Sequence, residues 1–304
     1  TDPLCQAVEA AWKAGIVVIV ASGNEGRNNS FGNRGYGTIT SPGNDPYVIT
    51  VGGMKTGGTT GRTDDYVASY SSKGPTLFDH VVKPDLVAPG NRVISVKLDH
   101  NSVMESQFPA NEVQNDYFIL SGTSMAAPMV SAAAAILLEK NPQLTPAQVK
   151  ARLMRTASKA FPSSTTATDP ATGKTYTSYY DIFTVGAGYL DIPAALDSTE
   201  RAKGSAASPW LLYNRALSQG MLVHQKDSIW DTGAWSLANV WGSRLFEPLT
   251  VAWGSSAAWG SVRRARRLGT AKRASSSKGM NVVETRCLPP PACRKSPSGT
   301  RRSS

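Results

Sequence analysis

Cysteine is scarce in this chain, and so are histidine and long apolar runs. Three cysteines in 304 residues, Cys5, Cys287 and Cys293, are too few and too scattered for a disulfide framework. Cys5 reads as a small helix residue facing a core. Cys287 and Cys293 lie in a Pro-rich tail, where only a local pairing is within reach. No run approaches the roughly 18 consecutive apolar residues of a membrane-spanning helix. No signal-peptide pattern opens the sequence, which starts abruptly, as a stretch taken from a longer product would. The three histidines, His80, His100 and His224, stand in "FDHVVKP", "LDHNSV" and "LVHQKD" and read as surface or loop residues.

Acidic side chains are the minority, 22 Asp and Glu against 32 Lys and Arg, for a formal net charge of +10. A surplus of that size raises nucleic-acid binding as a reading, and its distribution lowers it again. Residues 261–304 carry twelve Lys or Arg and one acid, Glu284, which leaves twenty basic and twenty-one acidic residues elsewhere. The body is therefore close to neutral. Phosphate attraction needs clustered cations, which the tail has. No recognisable binding fold accompanies them, so no specific nucleic acid is expected as a partner.

What is present has the grammar of an α/β sheet. Asp2 is a fitting N-cap and Pro3 a good first helical residue. Leu4, Ala7, Val8, Ala11 and Trp12 then repeat at helical spacing, and Gly15 supplies the stop. "IVVIVA", Ile16 to Ala21, is a short β-branched run without alternation, as expected of a strand buried on both faces. Further strands are expected at Tyr47–Val51, Arg92–Val96 and Tyr117–Leu120, separated by Gly- and Pro-rich loops. Met125–Leu138 is apolar all round and reads as a buried helix. Thr145-Pro146-Ala147-Gln148 is a capping box opening a helix to about Ala157. "GAGYLDIPAAL", Gly186 to Leu196, reads as the last packed segment.

The chain divides on this reading into a packed domain over 1–196, a Trp/Gly/Ser-rich extension over 197–260 and a basic tail over 261–304. Trp235, Trp241, Trp253 and Trp259 hint at a degenerate six-residue repeat. From Ser261 the chain turns Arg-, Ser- and Pro-rich, with too little apolar content to order itself. A break inside a repeat unit is what a shift of reading frame near Ser261 produces; a genuine tail of this charge implies an anionic surface as partner.

"ILSGTSMAAPMV", from Ile119, places a small polar turn between a strand and a helix. A serine at a helix mouth is well placed for nucleophilic work, because unsatisfied N–H groups and the positive dipole end gather there. Ser121, Thr123 or Ser124 is equally suited to be a simple N-cap. The longer string Gly122-Thr123-Ser124-Met125-Ala126-Ala127-Pro128 resembles the nucleophile motif of the subtilases, the subtilisin-like serine peptidases. "VIVASGNEG" (Val18 to Gly26) resembles their oxyanion-asparagine segment, and "SPGNDPYVITVGG", "ASYSSKGPT" and "VKPDLVAPG" resemble further blocks, in order, over about residues 1–196.

The resemblance implies a three-layer α/β fold with a mostly parallel sheet and a serine-type endopeptidase acting on polypeptides. Ser124 would be the nucleophile, and Asn24 would hold the oxyanion together with the Ser124 N–H. It implies no cofactor for the chemistry, possible structural calcium without an evident ligand set, and an extracellular or cell-envelope location, with envelope contact through the tail. The family's acid and base precede its oxyanion asparagine, and the 23 residues before Asn24 hold no histidine. Asp85 belongs to a structural block, and Asp2 is explained as a cap. The expectation is therefore the C-terminal portion of a subtilase domain, without its Asp–His pair and inactive by itself. The alternative is a non-catalytic, subtilase-like binding module of the cell envelope.

Overall fold

The computed structural model describes residues 2–30, 32–97, 103–114, 116–214, 219–231 and 233–242. His100, Trp253, Trp259, Cys287, Cys293 and the basic tail lie outside the described residues. Helix α1, Pro3–Lys13, begins where the sequence puts it: the Asp2 side chain accepts from Leu4 N–H, and Pro3 is the first helical residue. Gly15, at φ +95°, carries the chain out of the helix in a conformation that disfavours other residues. Cys5 is half-buried at the surface rather than turned to a core, its Sγ donating to Asn44 Oδ1 at 3.2 Å.

The central sheet is built on β2, Ile49–Lys55, which starts two residues later than the apolar pattern proposes. Strand β1, Ile19–Ala21, runs parallel to one edge of β2. Strand β3, Tyr66–Val67, pairs antiparallel with its far end, and β4, Leu86–Pro89, runs parallel along the other side. β1 covers only the second half of the expected run and is half-buried, not buried on both faces. Among the described residues nothing pairs with its outer edge, and Ile16 is 58% exposed.

Strands β5 (Val93–Val96), β6 (Glu112–Val113) and β7 (Tyr117–Leu120) form a second, antiparallel sheet in the order β5-β7-β6. Between β5 and β6 lies the short helix α2, Val103–Gln107. Helix α3, Thr123–Lys140, follows β7 after two residues and packs across β1, β2 and β4. Ala126, Val130, Ala133 and Leu137 face Ile49, Val51, Leu86 and Ala88 in one core. The opposite face of α3 is exposed at Pro128, Ala132, Ala135 and Ile136, so this helix is one-sided and not enclosed. Its uniform sequence hid that, because alanine suits either environment.

A separate cluster of buried residues packs on the sheet at Met54, Val67 and Val87, which meet Tyr180, Val185 and Tyr189. Helix α4, Pro146–Thr156, opens on the expected capping box: Thr145 Oγ1 accepts from Gln148 N–H at 3.3 Å, and Gln148 Oε1 accepts from Thr145 N–H at 3.0 Å. A hairpin of β8 (Ser164–Thr168) and β9 (Thr175–Tyr179) and the short helix α5 (Ile192–Asp197) follow.

Packing does not stop at Leu196. Strands β10 (Trp210–Asn214) and β11 (Gln219–Val223) pair, and α6, Leu237–Trp241, packs on α4. Trp230, Trp235 and Trp241 are buried in one cluster with Tyr36, Met154 and Phe183. Trp230 donates to Ala207 O at 2.7 Å and meets Trp241 edge-on at 5.1 Å. The tryptophan spacing read as a repeat is, in this stretch, the spacing of core anchors.

A buried ionic cluster ties these parts together. Asp85 accepts from Lys83 Nζ and Thr50 N–H, each at 2.8 Å, and from Ser208 Oγ at 2.6 Å. Lys150 Nζ lies 3.1 Å from the same carboxylate and donates to the carbonyls of Pro46, Tyr47 and Val48. Burial, the largest influence, pushes the Lys150 ammonium down to about 7 against the upward pull of Asp85. Desolvation acts to raise the Asp85 carboxyl, and the two lysines together hold it below its ordinary range. Charges out of water persist only where such partners surround them, and Asp85 has the structural role its block implied.

Candidate active site

The turn between β7 and α3 gives each small residue a distinct task. Ser121 Oγ accepts from Arg92 N–H at 2.9 Å, which holds the turn against β5. Gly122 stands at the N-cap with no side chain to cap with, and its N–H donates to Gly90 O at 2.8 Å. Glycine on both sides leaves room for that contact. A Cβ on Gly90 would stand 2.8 Å from Gly122 O and 3.0 Å from Ala126 Cβ, and one on Gly122 would stand 3.3 Å from Asn24 Nδ2. Tyr70 Oη donates to the Gly90 carbonyl at 2.8 Å, and burial pushes its pKa up to about 12, so it stays a donor.

Thr123 is fully buried, and its side chain accepts from Gly23 N–H at 3.2 Å. Its own N–H and Oγ1 both donate to Asn24 Oδ1, at 2.9 and 3.2 Å. Ser124 is the exception in the group. It sits in the first turn of α3, exposed, and among the described residues its hydroxyl and its N–H have no hydrogen-bond partner. The N-cap alternative for this serine is thereby removed, because the cap is Gly122 and the other hydroxyls are engaged elsewhere.

Asn24 reaches this helix from the loop after β1. That loop is pinned from both sides: Ser22 N–H donates to Val51 O, Ser72 N–H to Gly23 O, and Glu25 N–H to Ser72 Oγ at 3.0 Å. Gly23 has φ +104°, and a Cβ there would stand 2.8 Å from both Ser72 Oγ and Thr40 Oγ1. With Oδ1 committed to Thr123, the amide nitrogen of the exposed Asn24 is left without an acceptor among the described residues. An exposed hydroxyl, a free helix N–H and an oriented amide N–H thus share one helix mouth, which suits attack on a carbonyl and capture of the resulting oxyanion.

Among the described residues no histidine is hydrogen-bonded to Ser124. His80 lies in the Thr76–Val81 turn, with its carbonyl accepting from Leu211 N–H, and His224 follows β11 with Nδ1 3.1 Å from Gln225 O. Neither hydrogen bonds Ser124. No group of three or more His, Cys, Asp or Glu able to hold a metal exists among the described residues. Among these residues no helix is long and apolar enough to cross a membrane. The sequence pointed to Ser124 and Asn24 directly. It missed Thr123, Ser72, Tyr70 and Gly90 as their supports, although all four stand in the motif blocks quoted above.

The chain belongs to the subtilase family, whose model, Peptidase S8, matches residues 1–179. That family is one of subtilisin-like serine proteases, and the chain carries part of such a domain. Over 149 residues it is 46% identical to Serine protease AprX of Bacillus subtilis (strain 168), covering 49% of this chain and 32% of AprX. It is 36% identical over 154 residues to Subtilisin DY of Bacillus licheniformis, covering 51% of this chain and 44% of that one. Among solved structures, fervidolysin from Fervidobacterium pennivorans, a keratinolytic enzyme related to subtilisin, matches at 25% identity with a TM-score of 0.42. That match covers 66% of this chain and 25% of fervidolysin. The chain spans less than half the length of each of these relatives.

Proposed function

We propose that this chain carries the nucleophile and oxyanion half of a serine endopeptidase site. Ser124 Oγ attacks a peptide carbonyl and gives up its proton to a base. The carbonyl oxygen, now negative, is held by Ser124 N–H and Asn24 Nδ2. Collapse expels the amine, which takes the proton, and water then releases the acyl group by the same route. The observation that carries this reading is the contrast inside the turn, where every neighbouring hydroxyl is engaged and Ser124 is not.

In this reading the base is a histidine, oriented by an aspartate, and both are supplied by sequence beyond these 304 residues. The 304-residue chain alone is then inactive. Substrates are polypeptides, the chemistry calls on no cofactor, and the location is extracellular or at the cell envelope. Casein hydrolysis by the longer product containing these residues tests the proposal. Ser124→Ala should abolish turnover, and Asn24→Ala should lower it by about 10²–10³, the loss seen when subtilisin's own oxyanion asparagine is removed. Hydrolysis that persists in Ser124→Ala sinks the assignment of the nucleophile, and a longer product without any hydrolysis favours the binding-module reading.

A further inference from the structure

A cavity of about 370 Å³ opens between the segment after Asn24 and the β8–β9 hairpin. The proposed peptidase chemistry makes no use of it. Its lining brings together Arg27, Arg34 and Lys73, with Tyr176 and Tyr179 from the hairpin.

Lys73 is the informative residue. It is 3% exposed, yet among the described residues no carboxylate lies within ion-pair distance of its ammonium. Its contacts are the Arg34 carbonyl at 3.5 Å and the face of Tyr36 at 5.5 Å. The acid acting on it from behind is Asp181, which already accepts from Tyr36 Oη at 2.7 Å and from the N–H groups of Phe183 and Thr184. Burial raises the Asp181 carboxyl and, as the largest influence, lowers Lys73 to about 8. An ammonium withdrawn from water without a counter-ion is unfavourable, and an anion in the cavity relieves that.

Arg27 is held in place for the same purpose. Its Nε donates to Ser69 Oγ at 3.0 Å, its Nη1 pairs with Asp169 at 2.8 Å, and its guanidinium lies 5.2 Å over the Tyr176 ring. Three cationic side chains line this one cavity. A group with three or more anionic oxygens can take a contact from each of them, which a carboxylate with two cannot.

We propose that this cavity binds a phosphate or sulfate group through Lys73, Arg27 and Arg34, with the two tyrosines walling whatever body carries it. The full chain is titrated calorimetrically with sodium sulfate and with phosphoserine, at ionic strength held constant with chloride. We expect saturable one-site binding. Arg34→Gln, on an exposed side chain, and Lys73→Met should each weaken it at least about tenfold, the effect of losing one charge-assisted contact. Sulfate binding should also weaken as pH rises through about 8, and Lys73→Met should lose that dependence. Tighter binding of phosphoserine than sulfate assigns the site to a group carried on a larger molecule; equal binding assigns it to the free ion. Binding no stronger than chloride, or binding that neither substitution changes, overturns the proposal.

Discussion

Asn24 Oδ1 accepts two hydrogen bonds from Thr123, one from its N–H at 2.9 Å and one from its hydroxyl at 3.2 Å. Ninety-nine residues of chain are closed by this pair. It fixes which end of the asparagine amide is turned to Thr123, and it fixes the loop after β1 to the first turn of α3. The Thr123 hydroxyl also accepts from Gly23 N–H at 3.2 Å, so one buried oxygen serves both residues before Ser124's turn.

Replacing Thr123 with valine keeps the shape and removes that oxygen. Gly23 N–H is left without its acceptor, which costs about 1–3 kcal/mol. A urea-unfolding midpoint for Thr123→Val equal to that of the parent chain would show that the shared hydroxyl does not hold the two segments together.

Gly90→Ala is expected to be more damaging than a surface glycine change. The added methyl group meets Gly122 O at 2.8 Å and Ala126 Cβ at 3.0 Å, and neither is the end of a flexible side chain. Overpacking of this kind typically costs about 1–3 kcal/mol. Gly61→Ala is the control, since a Cβ there meets nothing nearer than 3.7 Å and, as at Gly90, the backbone is not in the left-handed region. Comparable losses in the two variants would remove the steric argument.

The Lys150 ammonium gives stability a sign with pH. Its folded pKa is about 7 against 10.5 for the free side chain. Between these values the unfolded chain binds the proton and the folded chain does not, so stability rises with pH across that window. Lys73, lowered to about 8, acts in the same direction. Tyr36 is shifted upward by burial and opposes this only near and above pH 10. Urea midpoints should therefore increase from pH 7 to about pH 9.5, and the slope should fall in Lys150→Met. A flat or falling profile in the parent chain contradicts the linkage.

Residues 1–196 alone should fail to melt cooperatively, whereas 1–242 should keep the transition of the full chain. The shorter piece loses Trp230 and Trp241 from the core around Tyr36, Met154 and Phe183, and loses the Ser208 hydroxyl that bonds Asp85 at 2.6 Å. Removing one buried tryptophan typically costs about 3–5 kcal/mol, a large part of a domain's stability. Circular dichroism melts of both pieces decide it, and a sharp monomeric melt of 1–196 refutes the dependence.

On the proposed reading, the purified 304-residue chain should show no casein hydrolysis, because Ser124 has no base. Robust hydrolysis that Ser124→Ala abolishes would place a base within these residues and return attention to His80 and His100.

What the sequence by itself determined is local. Asp2 with Pro3 starts α1, Thr145 with Gln148 starts α4, and the small residues after Leu120 make the sharp passage from β7 into α3. Each depends on hydrogen bonds or backbone freedom within a few residues, so a short string carries the information. Which hydroxyl in Ser121–Ser124 stays uncommitted could not be read from that string. The answer lies with Arg92 just before β5 and with Gly23 and Asn24 after β1. Tertiary structure likewise decided that α3 buries one face only, that β1 is half-exposed, and that Trp235 and Trp241 of the expected repeat are core residues. It alone joined Lys83, Asp85, Lys150 and Ser208, since a buried charge is tolerable only where distant parts of the chain converge on it.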